Sequence, residues 1–214
     1  MNTTKIIMIR HGQSVGNFER RFLGHTDLDI TEIGYKQADR VCEFLKNEHI
    51  DVIYSSDLQR AVHTVEPLAK VKNLQIVKDK GLREIFAGDW ENVEVDRLYS
   101  EFGDDFHFWK NDIGNARCTN GESVLELKER IFKRITEIAK ENSGKTVCIG
   151  THATPIRVTR AAVENVSKDD MKNIPWANNA SITRLDYNDG KFTLVSYGYD
   201  EFLGELKTEF VKNL

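Results

Sequence analysis

Arg10, His11, Arg60 and His152 combine two guanidinium groups with two imidazoles, and Glu84 adds a carboxyl group. Arginine presents its donors in a planar fork that matches two oxygens of a phosphate group. A neutral imidazole beside such groups can attack phosphorus, because neighbouring positive charges lower its pKa. Glu84 can protonate the leaving alkoxide and then take a proton from the attacking water. These residue types predict phosphoryl transfer to His11.

The segment that begins at Arg10 adds further groups suited to an anion. After His11, Gly12 permits close approach of the backbone, and Ser14 and Asn17 supply a hydroxyl and an amide. A single His or Arg is usually an ordinary surface residue, so the prediction depends on convergence of the whole set. Carboxylates or cysteines at ligand spacing accompany neither His11 nor His152, so no metal and no other cofactor is predicted.

Short apolar segments rich in β-branched residues predict strands that end just before these groups. The segments are 5–9, 51–54, 75–77 and 146–149. Three of them are followed directly by a loop or helix start that carries one of the proposed groups, and the strand at 75–77 leads to the loop of Glu84. In parallel α/β sheets the ligand site lies beyond the carboxyl ends of the strands. We therefore expect the five groups to meet at one edge of a sheet.

Helical periodicity appears between the predicted strands. Apolar residues at helical spacing predict an amphipathic helix over 31–47, with Thr31 as its N-cap. Residues 55–57 are two serines and an aspartate, which are typical capping residues for the helix that follows. Pro67 lies inside that second helical pattern and is expected to kink or shorten the helix.

The C-terminal half continues the alternation of helices and strands. A helix is predicted over 123–141, and Pro155 fits the first position of another. Alternating residues on both sides of Asn188-Asp189-Gly190 predict a β-hairpin. Together these patterns predict one α/β domain over 1–214, a three-layer α/β/α sandwich with a mainly parallel central sheet.

Residues 85–122 lose clear periodicity and are interpreted as a lid-like insertion, in which 93–102 is compatible with a helix. The segment holds nine acidic residues against three basic ones, a formal charge of −6, together with seven aromatic residues. A mutase must hold a second anionic group and keep water from the phosphohistidine. The negative charge therefore favours a phosphatase whose monoester has a neutral, apolar or cationic leaving group.

The overall charge excludes several other classes of function. Lys and Arg number 30 against 34 Asp and Glu, a net charge of −4 that favours neither nucleic acid nor an anionic membrane as a partner. Three cysteines without paired spacing argue against a disulfide framework and favour the cytoplasm. No apolar segment approaches the length of a signal-peptide core or a membrane span. The expected partner is a small-molecule phosphate ester.

The chain resembles the histidine phosphatase superfamily, in the branch that also holds cofactor-dependent phosphoglycerate mutases and fructose-2,6-bisphosphatases. The resemblance extends from Lys5 to about Tyr197. The motifs that carry it are Arg10-His11-Gly12-Gln13-Ser14 with Asn17, Arg21-Phe22-Leu23-Gly24, Thr31-Glu32-Ile33-Gly34, Tyr54-Ser55-Ser56-Asp57-Leu58-Gln59-Arg60 with Thr64, Leu82-Arg83-Glu84, Gly121-Glu122-Ser123 and Thr151-His152.

The resemblance implies a role for each site residue. His11 is implied as the phosphorylated residue and Glu84 as the proton donor, with Arg10, Arg60 and His152 around the phosphoryl group. It also implies that the phosphate or substrate meets Ser14, Asn17, Leu23, Gly24 and the backbone of Ala153. The sequence departs from the family pattern at Gln13, Asn92 and Ala153-Thr154. A phosphatase is expected, with a cofactor-dependent phosphoglycerate mutase or a non-catalytic phosphate-binding regulator as alternatives.

Overall fold

The computed structural model describes residues 2–208. Strands and helices alternate along most of this part of the chain, in the order β1 (Thr4–Arg10), α1 (Val15–Phe18), α2 (Glu32–Leu45), β2 (Val52–Ser55), α3 (Gln59–Lys72), β3 (Ile76–Lys78), α4 (Val95–Asn111), α5 (Val124–Glu141), β4 (Thr146–Thr151), α6 (Ala153–Val163), β5 (Ile182–Asn188) and β6 (Lys191–Tyr199).

The strands form a single mixed sheet with the order β3-β2-β4-β1-β5-β6. The pairs β3-β2, β2-β4 and β4-β1 are parallel, whereas β5 is antiparallel to β1 and β6 is antiparallel to β5. The sheet is therefore mainly parallel, as predicted. The antiparallel β5-β6 pair is a hairpin whose turn residues Asp189 and Gly190 have φ of 49° and 80°, as a two-residue type I′ turn requires.

Each face of the sheet carries its own hydrophobic core. In the first core, Ile6 and Met8 of β1 pack with apolar residues of α4, α5 and α6. In the second core, Ile7 and Ile9 pack with apolar residues of α2 and α3. Successive side chains of a strand point to opposite faces, so one apolar strand serves both cores. This arrangement confirms the predicted three-layer α/β/α sandwich.

Local capping explains where two of the predicted helices begin. Thr31 Oγ1 accepts a hydrogen bond from the Gly34 amide at 3.1 Å, so α2 starts at Glu32 and the predicted N-cap is confirmed. Ser123 and Glu126 form a reciprocal capping box at the start of α5. Among residues 2–208, no helix is long and apolar enough to cross a bilayer.

The start and course of α3 differ from the prediction. Its N-cap is Leu58, without a side-chain cap, because Ser56 and Asp57 bond instead to residues distant in sequence, His152 and Arg83. Pro67 does not end the helix, which continues to Lys72. Burial of apolar residues on both sides of Pro67 in the second core offsets the one missing backbone hydrogen bond.

Two further expectations need correction. Pro155 is the third residue of α6 rather than the first, because the helix begins at Ala153 directly after His152. Residues 85–122 are more regular than their weak periodicity indicated, since they contain α4, which overlaps the helix expected at 93–102 and extends beyond it, and two short 3-10 segments. Trp90, Leu98 and Phe106 anchor this region in the first core. Its function as a lid stays a prediction.

Candidate active site

Two adjacent parallel strands place the two histidines side by side. Arg10 and Thr151 are the last residues of β1 and β4 and are paired in register. The His11 amide donates to the Thr151 carbonyl at 2.9 Å, and the ring centroids of His11 and His152 lie 5.2 Å apart. The predicted meeting of these residues at the carboxyl edge of the sheet is what the structure shows.

The hydrogen bonds of His11 select its tautomer. Nδ1 lies 2.7 Å from the Gly12 carbonyl oxygen, which only accepts, so Nδ1 carries the proton and Nε2 retains a lone pair. The Gly12 amide is held in turn by Thr64 Oγ1 at 2.8 Å. Burial, and next the charges of Arg60 and Arg10, keep the pKa of His11 well below its usual range. A neutral imidazole with a fixed tautomer can act as a nucleophile at neutral pH.

His152 is fully buried beside that imidazole. Its Nε2 lies 2.8 Å from Ser56 Oγ, while its Nδ1 is buried without a hydrogen-bond partner among residues 2–208. Burial and the positive charge of Arg60 hold the pKa of His152 well below its usual range. An unsatisfied buried polar atom is uncommon. When Nε2 accepts from the Ser56 hydroxyl, the neutral ring carries its proton on Nδ1, which can donate to an oxygen of a bound phosphoryl group.

The two arginines are buried and anchored by backbone carbonyls. Arg10 Nη1 donates to the Ala177 carbonyl at 2.7 Å. Arg60 Nη1 and Nη2 donate to the carbonyls of Thr26 and Gly24, at 2.8 and 2.7 Å, and Arg60 Nε has no partner in the described part of the chain. Burial lowers the pKa of both guanidinium groups to about 10, so both remain charged at neutral pH.

Glu84 is the acidic group of the site. Its Oε1 accepts from the Ile85 amide at 2.8 Å and its Oε2 from the Thr154 amide at 3.2 Å. Burial raises the pKa of the Glu84 carboxyl, although these hydrogen bonds oppose the shift. A carboxyl group whose pKa is raised retains its proton closer to neutral pH, as a general acid must.

These residues surround one cleft. Of the predicted site residues, seven line it directly: Arg10, His11, Ser14, Asn17, Leu23, Glu84 and Ala153. Arg60 and His152 do not line the cleft but are buried against the residues that do. Gly24 does not line the cleft either. Its amide donates to Glu91 and its carbonyl accepts from Arg60. A Cβ atom added at Gly24 would clash with Glu91 and Ile85.

Several residues of the site were not identified from the sequence. The cleft is also lined by Arg21, Phe22, Trp109, Thr154 and Trp176. Asn179 Nδ2 donates to the His11 carbonyl at 3.1 Å and to Asn17 Oδ1 at 3.0 Å, which fixes the loop after β1. Arg21 and Phe22 lie in a motif that carries the family resemblance, and Thr154 is a departure from the family pattern. The Thr154 amide donates to Glu84 Oε2.

Glu91 joins the segment before α4 to the loop that holds Arg60. Its carboxylate accepts from three consecutive amides, those of Gly24, His25 and Thr26, and also from the Thr26 hydroxyl and the Ala87 amide. Successive amides wrapped around an anion form a recurrent backbone motif. Glu91 therefore positions the two carbonyl groups that anchor Arg60.

No group of three or more His, Cys, Asp or Glu side chains in the described part of the chain is arranged to hold a metal ion. The positive charge of the site comes from Arg10 and Arg60, and its acidic group is Glu84. These three side chains and His11 bring a nucleophile, a proton donor and fixed cations together.

The chain is similar to several known proteins. A family model described as histidine phosphatase superfamily (branch 1) matches residues 6–200. Phosphoserine phosphatase 1 of Hydrogenobacter thermophilus is 29% identical over 208 residues, which cover 96% of this chain and 97% of that protein. The probable phosphoglycerate mutase GpmB of Yersinia pestis is 29% identical over 189 residues, 86% of each chain. The native structure of a mycobacterial glucosyl-3-phosphoglycerate phosphatase superposes with a TM-score of 0.84 at 26% identity, covering 93% of this chain and 100% of that one.

Proposed function

Because this chain belongs to the histidine phosphatase superfamily, branch 1, we propose that it hydrolyses small phosphate monoesters through a phosphohistidine intermediate on His11. The observation that carries the proposal is the hydrogen bond from His11 Nδ1 to the Gly12 carbonyl, which leaves Nε2 unprotonated beside two buried arginines. The raised pKa of Glu84 in the same cleft supports its assignment as the acid.

In the first step, the lone pair of His11 Nε2 forms a bond to phosphorus while the bond from phosphorus to the ester oxygen breaks. Glu84 gives its proton to the departing alkoxide, which leaves as the alcohol. Arg10 lines the cleft, and Arg60 Nε and His152 Nδ1, buried behind it without a partner in the described part of the chain, are the further groups available to hold the phosphoryl oxygens. Their charge and fixed position stabilise the transition state more than the ground state.

In the second step, the Glu84 carboxylate takes a proton from water as the water oxygen bonds to phosphorus. The bond between phosphorus and Nε2 breaks, inorganic phosphate leaves, and both His11 and Glu84 return to their starting protonation states. The chemistry balances without a metal or an added cofactor, and turnover is expected to survive treatment with EDTA.

The test uses the Glu84→Gln variant with p-nitrophenyl phosphate, whose leaving group needs little protonation. The first step should still phosphorylate His11, whereas hydrolysis of the intermediate lacks its general base. We expect a burst of p-nitrophenol, and a label on His11 that survives alkaline quenching and is lost in acid. His107→Ala is the matched control, because His107 is exposed on α4 and does not line the cleft.

The control and the catalytic variants separate the alternatives. His107→Ala should retain full turnover, and His11→Ala should lose both turnover and label. A label on another residue, or turnover that continues in His11→Ala, refutes the covalent mechanism. Phosphate bound stoichiometrically without turnover of any ester would instead support a non-catalytic regulator.

A further inference from the structure

Three aromatic rings form a continuous wall of the cleft that holds His11. The rings of Phe22 and Trp109 meet edge to face with centroids 5.0 Å apart, and those of Trp109 and Trp176 are stacked at 6.1 Å. All three residues line the cleft, as does the apolar side chain of Leu23. Beyond the groups assigned to the phosphoryl chemistry, most of the described lining is therefore aromatic or aliphatic.

The one further basic side chain in the described lining of the cleft is already neutralised. Arg21 Nε donates to Glu19 at 3.0 Å, Nη1 to the Asn92 carbonyl at 2.8 Å and Nη2 to Glu94 at 3.3 Å. Each nitrogen of the guanidinium group thus has a partner, and two carboxylates balance its single charge. Recruiting Arg21 for a substrate anion would require breaking these ion pairs.

The aromatic wall is also fixed by its surroundings. Trp109 is almost fully buried, and it belongs to the first core through contacts with Phe22 and Trp90. The Arg157 guanidinium lies 4.1 Å from the ring centroid of Trp176 and donates to the carbonyls of Met171 and Lys172. A preformed apolar surface binds a flat apolar group without a large ordering cost.

We propose that this wall is the leaving-group site, and that it selects phosphate monoesters of uncharged aromatic or apolar alcohols over esters whose alcohol carries a carboxylate or a second phosphate. The inference rests on the proposed function and specifies its substrate class. Because Phe22 and Trp109 are already almost fully buried, an apolar leaving group gains by removing its own surface and the exposed part of Trp176 from water. A second anion would be desolvated against the wall without a free cation. The same argument disfavours a phosphoglycerate mutase reaction.

The experiment compares alkyl esters, so that differences in leaving-group acidity do not decide the result. Benzyl phosphate, glycerol 1-phosphate, phosphoserine and 3-phosphoglycerate are each measured by phosphate release, and 2-phosphoglycerate formation is followed in parallel with a trace of 2,3-bisphosphoglycerate. We expect kcat/KM for benzyl phosphate to exceed that for glycerol 1-phosphate about tenfold, the value of burying part of a ring. Phosphoserine and 3-phosphoglycerate should be slower still.

Variants of the wall provide the second readout. Trp176→Ala should reduce the ratio of kcat/KM for benzyl phosphate to that for glycerol 1-phosphate by about tenfold, and Trp176→Phe should retain much of it. Phe108→Ala is the matched control, because Phe108 is an exposed neighbour of Trp109 that does not line the cleft. A general disturbance of the fold would lower both kcat/KM values and leave their ratio unchanged.

A third experiment removes the two carboxylates that form ion pairs with Arg21. In the Glu19→Gln/Glu94→Gln variant, the rate with 3-phosphoglycerate relative to benzyl phosphate should rise about twofold to fivefold, since an exposed ion pair is worth roughly 0.2–1 kcal/mol. A wild-type preference for phosphoserine or 3-phosphoglycerate over benzyl phosphate overturns the inference, as does a ratio that Trp176→Ala leaves unchanged. Cleavage of all four esters at similar rates would also overturn the inference, but it would leave the phosphohistidine mechanism standing. Absence of turnover and of a label on His11 would refute the proposed function itself.

Discussion

Replacing Glu91 with glutamine tests whether a residue outside the cleft controls the position of Arg60, which lies behind the cleft. Glu91 Oε2 accepts from the amides of Gly24 and Thr26 at 3.2 and 2.9 Å and from the Thr26 hydroxyl at 2.6 Å. Its Oε1 accepts from the amides of His25 and Ala87 at 2.5 and 3.2 Å. A glutamine side chain has one acceptor oxygen and one amino group. In either orientation of its amide, the amino group faces two backbone N–H donors, which then lack an acceptor.

The magnitude follows from those two amides. A hydrogen bond to a charged group contributes roughly 1.5–3 kcal/mol, and a buried donor without a partner costs roughly 1–3 kcal/mol. The Glu91 carboxylate is partly exposed, so water recovers some of the loss, and we expect Glu91→Gln to lower the free energy of unfolding by about 2–4 kcal/mol. Burial alone would raise the pKa of Glu91, but the hydrogen bonds from Thr26 and His25 hold it below its usual value. Its stabilisation is therefore complete above the unfolded pKa of about 4.5 and is lost as the pH falls through the folded pKa.

The effect on activity passes through Arg60. The carbonyls of Gly24 and Thr26, which the carboxylate positions through their loop, are the anchors of that guanidinium. Displacing a charged donor by a fraction of an ångström is expected to lower kcat/KM about tenfold, or 1.4 kcal/mol.

Urea unfolding at pH 7 and pH 4, together with steady-state kinetics, measures both effects. Asp89→Asn is the control, because that exposed acid lies two residues away and its carboxylate accepts a hydrogen bond from Asn120 alone among residues 2–208. The difference in unfolding free energy between wild type and Glu91→Gln should narrow at pH 4. Equal stability of the two proteins at pH 7 would refute the account of the carboxylate, and an unchanged kcat/KM in a destabilised variant would refute its link to Arg60.

Three shorter predictions concern the groups around His11. Arg60→Ala should lower kcat/KM about a hundredfold or more while circular dichroism shows an intact fold, and unchanged kinetics would place Arg60 outside the reaction. Thr64→Val leaves the Gly12 amide without its partner and should cost about 1–3 kcal/mol in urea unfolding, together with a measurable loss of kcat/KM. Burial keeps the pKa of His11 and of His152 below the ordinary value near 6.5, so the unfolded chain binds more protons at acid pH. Stability should therefore decline as the pH falls below about 6.5, and a Tm independent of pH between 7 and 5 would contradict this.

The parts of the fold that the sequence predicted correctly are those encoded by neighbouring residues. The apolar segment of β1 is buried on both faces, so its period and its abrupt end before His11 are local properties. The start of α2 depends on Thr31 and an amide three residues away, and the β5-β6 hairpin depends on Asp189 and Gly190. Such signals do not require knowledge of the rest of the chain.

The error at the start of α3 arises because side chains with a strong local preference have distant partners. Ser56 and Asp57 have the composition of a helix cap, but Ser56 Oγ lies 2.8 Å from His152 and Asp57 forms two 2.6 Å hydrogen bonds with Arg83. These partners lie 96 and 26 residues away in sequence. These contacts also hold His152 and the segment before Glu84 in place. The two side chains therefore position residues of the site instead of capping α3.

The charge of a segment was also an insufficient basis for predicting the leaving group. The formal charge of −6 over residues 85–122 suggested repulsion of multiply charged anions, yet none of those acids lines the cleft, and Glu91 and Glu94 bond to loop 24–26 and to Arg21. The cleft disfavours a second anion for another reason: Arg21, its one further cation in the described lining, is neutralised by Glu19 and by Glu94, 73 residues away. A count of charges along a segment measures the long-range field, which salt screens beyond about 10 Å. The choice of leaving group instead depends on which charges remain unpaired at the cleft wall, and that is decided by the tertiary contacts of Arg21.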